Sequence, residues 1–167
     1  MNGADLSFVV PVADMKGEND EETRGLATMF EDACAFLSSF RWCERIEDSF
    51  FGFGYAQIVA VFLFRIKPTH PDIDDWLWVV VGDIPPAYLV TQGNITPDLA
   101  LDGYIFEMSR WVEAAKEGRS VTDLIPVNAP ATPENAEALQ CRLGALKLII
   151  KDTVAQHRSA QVSREVQ

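Results

Sequence analysis

Histidine is nearly absent from this chain: among 167 residues only His70 and His157 occur. They are too few and too far apart in sequence for a histidine-rich metal site, and no G-x-S-x-G accompanies them for a hydrolase triad. Cysteine is almost as scarce. Cys34, Cys43 and Cys141 are odd in number and form no C-x-x-C pair, which excludes both a disulfide framework and a cysteine zinc site. Long apolar runs are missing too. The Ile58–Phe64 stretch falls far short of the ~20 residues that a spanning helix needs. The first residues, MNGADLSFVVPVADMKGEND, have no basic leader, and Pro11 breaks their short apolar run, so no signal peptide is expected. Gly52-Phe53-Gly54-Tyr55 lacks a third glycine and a following Lys-Ser/Thr pair, and so fails as a phosphate loop. These absences point to a reduced cytoplasm and to a chain without a cofactor.

Basic residues are the last shortage. Fourteen Lys and Arg face 25 Asp and Glu, a formal net charge of −11. Residues 1–133 hold 21 acids and 9 bases, whereas residues 134–167 hold 4 acids and 5 bases. An acidic body of this kind repels nucleic acid and anionic membranes and speeds encounter with a basic protein.

What the chain has in quantity is core. A 48% hydrophobic and 10% aromatic content supports a packed globule, here expected as a single domain over 1–167. Trp76–Val90, WLWVVVGDIPPAYLV, is a dense β-branched and aromatic run stopped by Gly-Asp and Pro-Pro, the pattern of a buried central strand leaving a sheet. Tyr55–Ile66 is likewise apolar on both faces, with Gly52-Phe53-Gly54 read as the hairpin turn that precedes it. Trp42–Phe51 alternates with period two, and Ala87–Val90 supplies a short fourth strand.

Three helices complete the pattern. Asn19 and Glu22 have capping-box spacing, followed by Leu26, Met29, Phe30, Ala33, Leu37 and Phe40 at helical period. Gly25 near this helix's start costs it about 1 kcal/mol. Thr96-Pro97 opens a second helix with a stripe through Leu101, Tyr104, Ile105, Met108, Trp111, Val112 and Ala115. Thr132-Pro133 opens a third, whose seam is Leu139, Leu143, Leu146, Ile150 and Val154. Residues 1–18 form an arm that either adds an edge strand or stays loose, and 159–167 a frayed tail. The fold class is therefore α+β: an antiparallel sheet of three to four strands packed with three main helices.

Candidate sites are few. His70-Pro71-Asp72-Ile73-Asp74-Asp75 gathers one imidazole and three carboxylates, but aspartate beside proline between strands is ordinary turn chemistry, and we expect no metal there. Asp83, after the central strand, is the best single catalytic carboxylate, with a turn bond as the plainer reading. The tryptophans Trp42, Trp76, Trp78 and Trp111 could stack on a ligand ring, yet core packing accounts for at least the last three. Phe106 projects from the charged side of its helix, where it either packs elsewhere on the chain or anchors a partner. Glu21, Glu22, Glu31 and Asp32 concentrate acidity on the first helix and are the binding residues expected to face a basic protein.

WLWVVVGDIPPAYLV, LDGYIFEMSRWVEAAKEGRSVTDLIPVN and PENAEALQCRL together resemble a group of short bacterial or phage proteins with a strand ending in Gly-Asp-(Ile/Leu)-Pro and then an amphipathic helix. The resemblance covers roughly residues 60–150 and implies an α+β fold; it brings no assigned activity or site residue. The expected function is that of an acidic, non-enzymatic protein-binding module of inhibitor or immunity type. The alternatives are a small carboxylate or metal enzyme drawing on Asp83 and the His70–Asp75 turn, and a structural homodimer.

Overall fold

A computed structural model describes residues 4–91 and 96–165, with side chains as far as Asp152. The chain divides into two compact units, residues 1–100 and 101–167.

The first unit is an antiparallel meander carrying one long helix. Its strands are β1 (Val10–Pro11), β2 (Cys43–Tyr55), β3 (Val59–Pro68), β4 (Trp76–Gly82) and β5 (Ala87–Val90), paired in sequence order. The sheet thus has five strands where three or four were expected, because the N-terminal arm adds Val10 and Pro11 opposite Phe51 and Phe50. β3 and β4 are central, as their two-sided apolar character predicts: Val59–Phe64 and Leu77–Val81 are buried without a break.

The helix α1 (Asp20–Ser38) begins where Asn19 caps it, the Asn19 Oδ1 accepting the Glu22 N–H at 2.8 Å. Leu26, Met29, Ala33 and Leu37 recur on one side and are buried in one core with Ala60, Phe62, Phe64 and Ile66 of β3 and Leu77, Val79 and Val81 of β4. Phe30 adds a ring 5.6 Å from Phe62 and 6.0 Å from Phe64. A second aromatic group closes the far end of the helix, where Trp42 lies 4.9 Å from Phe40 and 5.0 Å from Tyr88 of β5. Val61, Leu63, Trp78 and Val80, on the alternate positions, are equally buried.

The first hairpin turn differs from expectation. Gly52, Phe53 and Gly54 lie within β2, and the chain reverses at Ala56–Ile58, where Gln57 takes φ 68°. The two glycines are there for space instead. A Cβ on Gly52 would stand 2.7 Å from Pro97, and one on Gly54 would stand 2.9 Å from the Ala60 side chain. Close approach and turning select the same residue type, which is why the sequence pattern misplaced the turn.

The second unit is helical. It holds most of α2 (Pro97–Glu117) and all of α3 (Pro133–Glu165), and Lys116 hydrogen-bonds Gln140 between them. Leu101, Tyr104, Ile105, Met108, Trp111, Val112 and Ala115 form the expected buried stripe of α2, and Leu139, Leu143 and Leu146 the seam of α3. The Val154 and His157 side chains lie outside the described residues, as do residues 166 and 167.

Candidate functional site

The one side of α1 that meets the turn end of the sheet forms a shallow pocket of about 380 Å³. Gly25, Met29 and Asp32 recur on the helix at the spacing that puts them on one face, with Thr28 beside them. Opposite stand Gln57 of the tight turn and the Gly82-Asp83 pair at the end of β4.

Local chemistry fixes each wall. Gly25, costly in a helix, lets α1 approach the turn: a Cβ there would stand 2.5 Å from the Ala56 side chain. Glu22 strengthens the same junction, its Oε1 accepting the Ala56 N–H at 2.7 Å. The capping-box spacing therefore delivers only one of its two bonds, since the glutamate reaches across to the sheet and not back to Asn19. Gly82 holds φ 148°, and a Cβ on it would lie 2.2 Å from the Ile58 carbonyl oxygen. The Asp83 N–H donates to that same oxygen at 3.1 Å, continuing the β3–β4 pairing one step past Gly82.

The lining carries carboxylates but little else reactive. Asp32 and Asp83 are both exposed, and Met29, only 5% exposed, supplies an apolar floor. The Thr28 hydroxyl is turned back on its own helix, donating to the Arg24 carbonyl at 3.2 Å. No histidine or cysteine joins them among the described lining residues. Such an arrangement suits recognition of a cationic group with an apolar stem.

The other expected residues disperse. Glu21 and Glu31 are exposed along α1, whereas Glu22 is half-buried and committed to Ala56. Phe106 is 63% exposed on α2 in the helical unit. The His70–Asp75 segment is a turn, with Asp72 N–H donating to His70 Nδ1 at 3.3 Å. It precedes β4 while Asp83 follows it, so the strand holds the two candidate carboxylate groups about 20 Å apart. An enzyme needing both in one pocket loses its geometry. Among the described residues no group of three or more His, Cys, Asp or Glu is placed to hold a metal. No described helix is long and apolar enough to cross a membrane.

Charge is divided unevenly between the two units. Residues 1–100 hold sixteen acids against six bases, a net of −10, and residues 101–167 nine against eight, a net of −1. Within the first unit the hairpin neutralises itself: Arg65 pairs with Asp48 at 2.5 Å and Glu47 at 3.3 Å, Arg45 with Glu47 at 3.2 Å, and Lys67 with Glu44 at 3.7 Å. On α1, by contrast, Glu21, Glu31 and Asp32 make no ion pair with a described residue. The co-lining of Asp32 with Gln57 and Gly82 escaped sequence reasoning, although Gly25 within a helical period and Gly82 at a strand end were its visible traces.

Comparison with protein-family models, with curated proteins and with solved structures finds no match.

Proposed function

We propose that this chain is a non-enzymatic, acidic, cytoplasmic protein-binding module that docks the basic surface of a protein partner, as small inhibitors and immunity proteins do. The observation that carries this reading is the segregation of charge: acids of the hairpin are consumed by Arg45, Arg65 and Lys67, whereas Glu21, Glu31 and Asp32 of α1 are left facing solvent. Exposed, uncompensated charge of one sign steers an oppositely charged partner and repels phosphate backbones. The reading invokes no cofactor.

The test is capture with the tagged full chain from its source cells, identification of the partner, and association kinetics at two salt concentrations. The Debye length falls from about 8 Å at physiological ionic strength to about 3 Å at 1 M, so steering should fade and the association rate should drop. Reversing Glu21, Glu31 and Asp32 to lysine should have the same effect at low salt while leaving the melting temperature close to the parent's. An association rate indifferent to both changes would overturn the reading and move attention to Phe106.

A further inference from the structure

We infer that the outer edge of β5 accepts an extended segment of the basic partner as a further strand of the sheet. The inference rests on the docking reading and gives it a place and a geometry. The sheet ends in β2 with its short strap β1 on one side, and in β5 on the other. The first edge is guarded. The β2–β3 register shifts at three points, Glu44, Arg45, Glu47 and Asp48 put charge along the strand, and β1 covers Phe50 and Phe51 and contributes Pro11. The β5 edge has none of these devices. Its pairing with β4 runs in even register from Ala87 opposite Val80 to Val90 opposite Leu77, and Ala-Tyr-Leu-Val carries no charge. Alternate residues of an edge strand turn their N–H and C=O outward, and among the described residues no backbone group bonds those of β5 from that side.

Side chains and charge say what that segment should be. Tyr88 and Val90 lie on the α1 side of β5, opposite Val79 and Leu77 of the core. Around Tyr88 stand the half-buried rings of Phe36, Phe40 and Trp42, their centroids 6.4, 5.3 and 5.0 Å away. Together they make a partly exposed aromatic shelf, on which alternate apolar side chains of an added strand would rest. Charge in this part of the sheet is one-sided. Residues 68–91, which include β4 and β5, hold Asp72, Asp74, Asp75 and Asp83 and no lysine or arginine. Asp32 precedes Phe36 by one helical turn on the same side of α1, exposed and in no ion pair with a described residue. Arg41, between Phe40 and Trp42 in sequence, is the one base beside the shelf. A strand that is apolar on one face and rich in lysine or arginine on the other matches the edge in both respects. A second copy of this chain would bring the same acids to the same edge, and like charges oppose that pairing.

Amide-resolved NMR of the full chain, titrated with a capped Lys-Val-Lys-Val-Lys-Val-Lys peptide, tests this directly. The same peptide N-methylated throughout keeps its side chains and charge but has no N–H to pair, and Glu-Val-Glu-Val-Glu-Val-Glu reverses the charge. The expected result is a set of shifts centred on Ala87–Val90, Phe36 and Phe40, lost with both control peptides. Val90→Lys puts a charge on the edge, as guarded edges have, and should weaken binding about tenfold, whereas Val10→Lys on the opposite edge leaves it unchanged. Both valines are substantially exposed, so neither variant threatens the fold. Arg41→Ala should tighten binding. An equal response to the N-methylated peptide, or shifts confined to Glu21, Glu31 and Asp32, would remove the added strand and spare the acidic docking surface. No binding of the peptides or of poly-L-lysine would remove both. A dimer in sedimentation that Val90→Lys dissolves, with no peptide bound at β5, would give the edge to a second copy and overturn the assignment.

Discussion

Burial decides what the three thiols can do. It pushes the Cys34 thiol above its ordinary pKa, with nearby Glu31 adding to the effect, and it raises Cys43 in the same direction. Cys141 is exposed on α3. Because the thiolate is the nucleophile, Cys141 should react first with iodoacetamide at pH 8, and the other two should follow more slowly. Peptide mapping of partially alkylated protein checks the order, and early labelling of Cys34 would mean that α1 is less firmly seated than the structure has it. Trp111 makes the opposite case of a residue given wholly to packing. It is 2% exposed, so Trp111→Ala should cost roughly 3–5 kcal/mol, as truncations of large buried rings do. Denaturant melts measure this; a loss below about 1 kcal/mol would place the indole at the surface. Trp78 sits between these cases, fully buried with its Nε1 unpartnered among the described residues. An unmet donor in a core carries a desolvation penalty that offsets part of what the ring contributes.

At the scale of elements, the junction of α1 with the β2–β3 turn governs the candidate site. Two devices hold it: the Glu22 carboxylate on the Ala56 N–H, and a glycine at position 82 with its hydrogen facing the Ile58 carbonyl. Gly82→Ala meets both a positive φ and a backbone oxygen 2.2 Å from the new carbon, and should destabilise by about 2 kcal/mol or more. Thermal melts of Gly82→Ala beside Gly144→Ala, where a Cβ meets nothing within 4 Å, separate this strain from the general effect of adding a methyl group. Equal melting temperatures for the two variants would show that the pocket wall does not depend on a glycine at position 82. The salt bridges of the hairpin belong to this scale as well, but they lie at the surface, where solvent screening leaves them little to add to stability. Their consequence is electrostatic: they cancel the hairpin's charge and leave α1 as the acidic face.

For the whole molecule, the division of charge follows the two compact units. Residues 1–100 carry a net −10 and residues 101–167 a net −1, so most of the acidic body read along residues 1–133 belongs to the first unit. A binding partner selected by charge should therefore protect α1 more than the exposed surface of α3. Hydrogen–deuterium exchange of the complex reads this out: slowed amides at Arg24–Asp32 support the placement, and protection confined to residues 133–152 would contradict it.

Element types were legible from the chain because they follow from periodicity and punctuation. The helices opened at Asn19, Thr96-Pro97 and Thr132-Pro133, and the two apolar runs became the central strands, since nothing but a two-sided core accepts Val59–Phe64 or Leu77–Val81. The position of the first turn was not legible. Gly52 and Gly54 answer to Pro97 and Ala60, neighbours that exist only once the strands pair. The same holds for Glu22, whose sequence spacing fits a helix cap and whose carboxylate the fold sends to Ala56. Above all, only tertiary structure could bring Asp32 and Asp83 to one cavity and set Asp83 apart from the His70–Asp75 turn. Proximity between distant residues is created by strand direction and helix packing, and no local pattern encodes it.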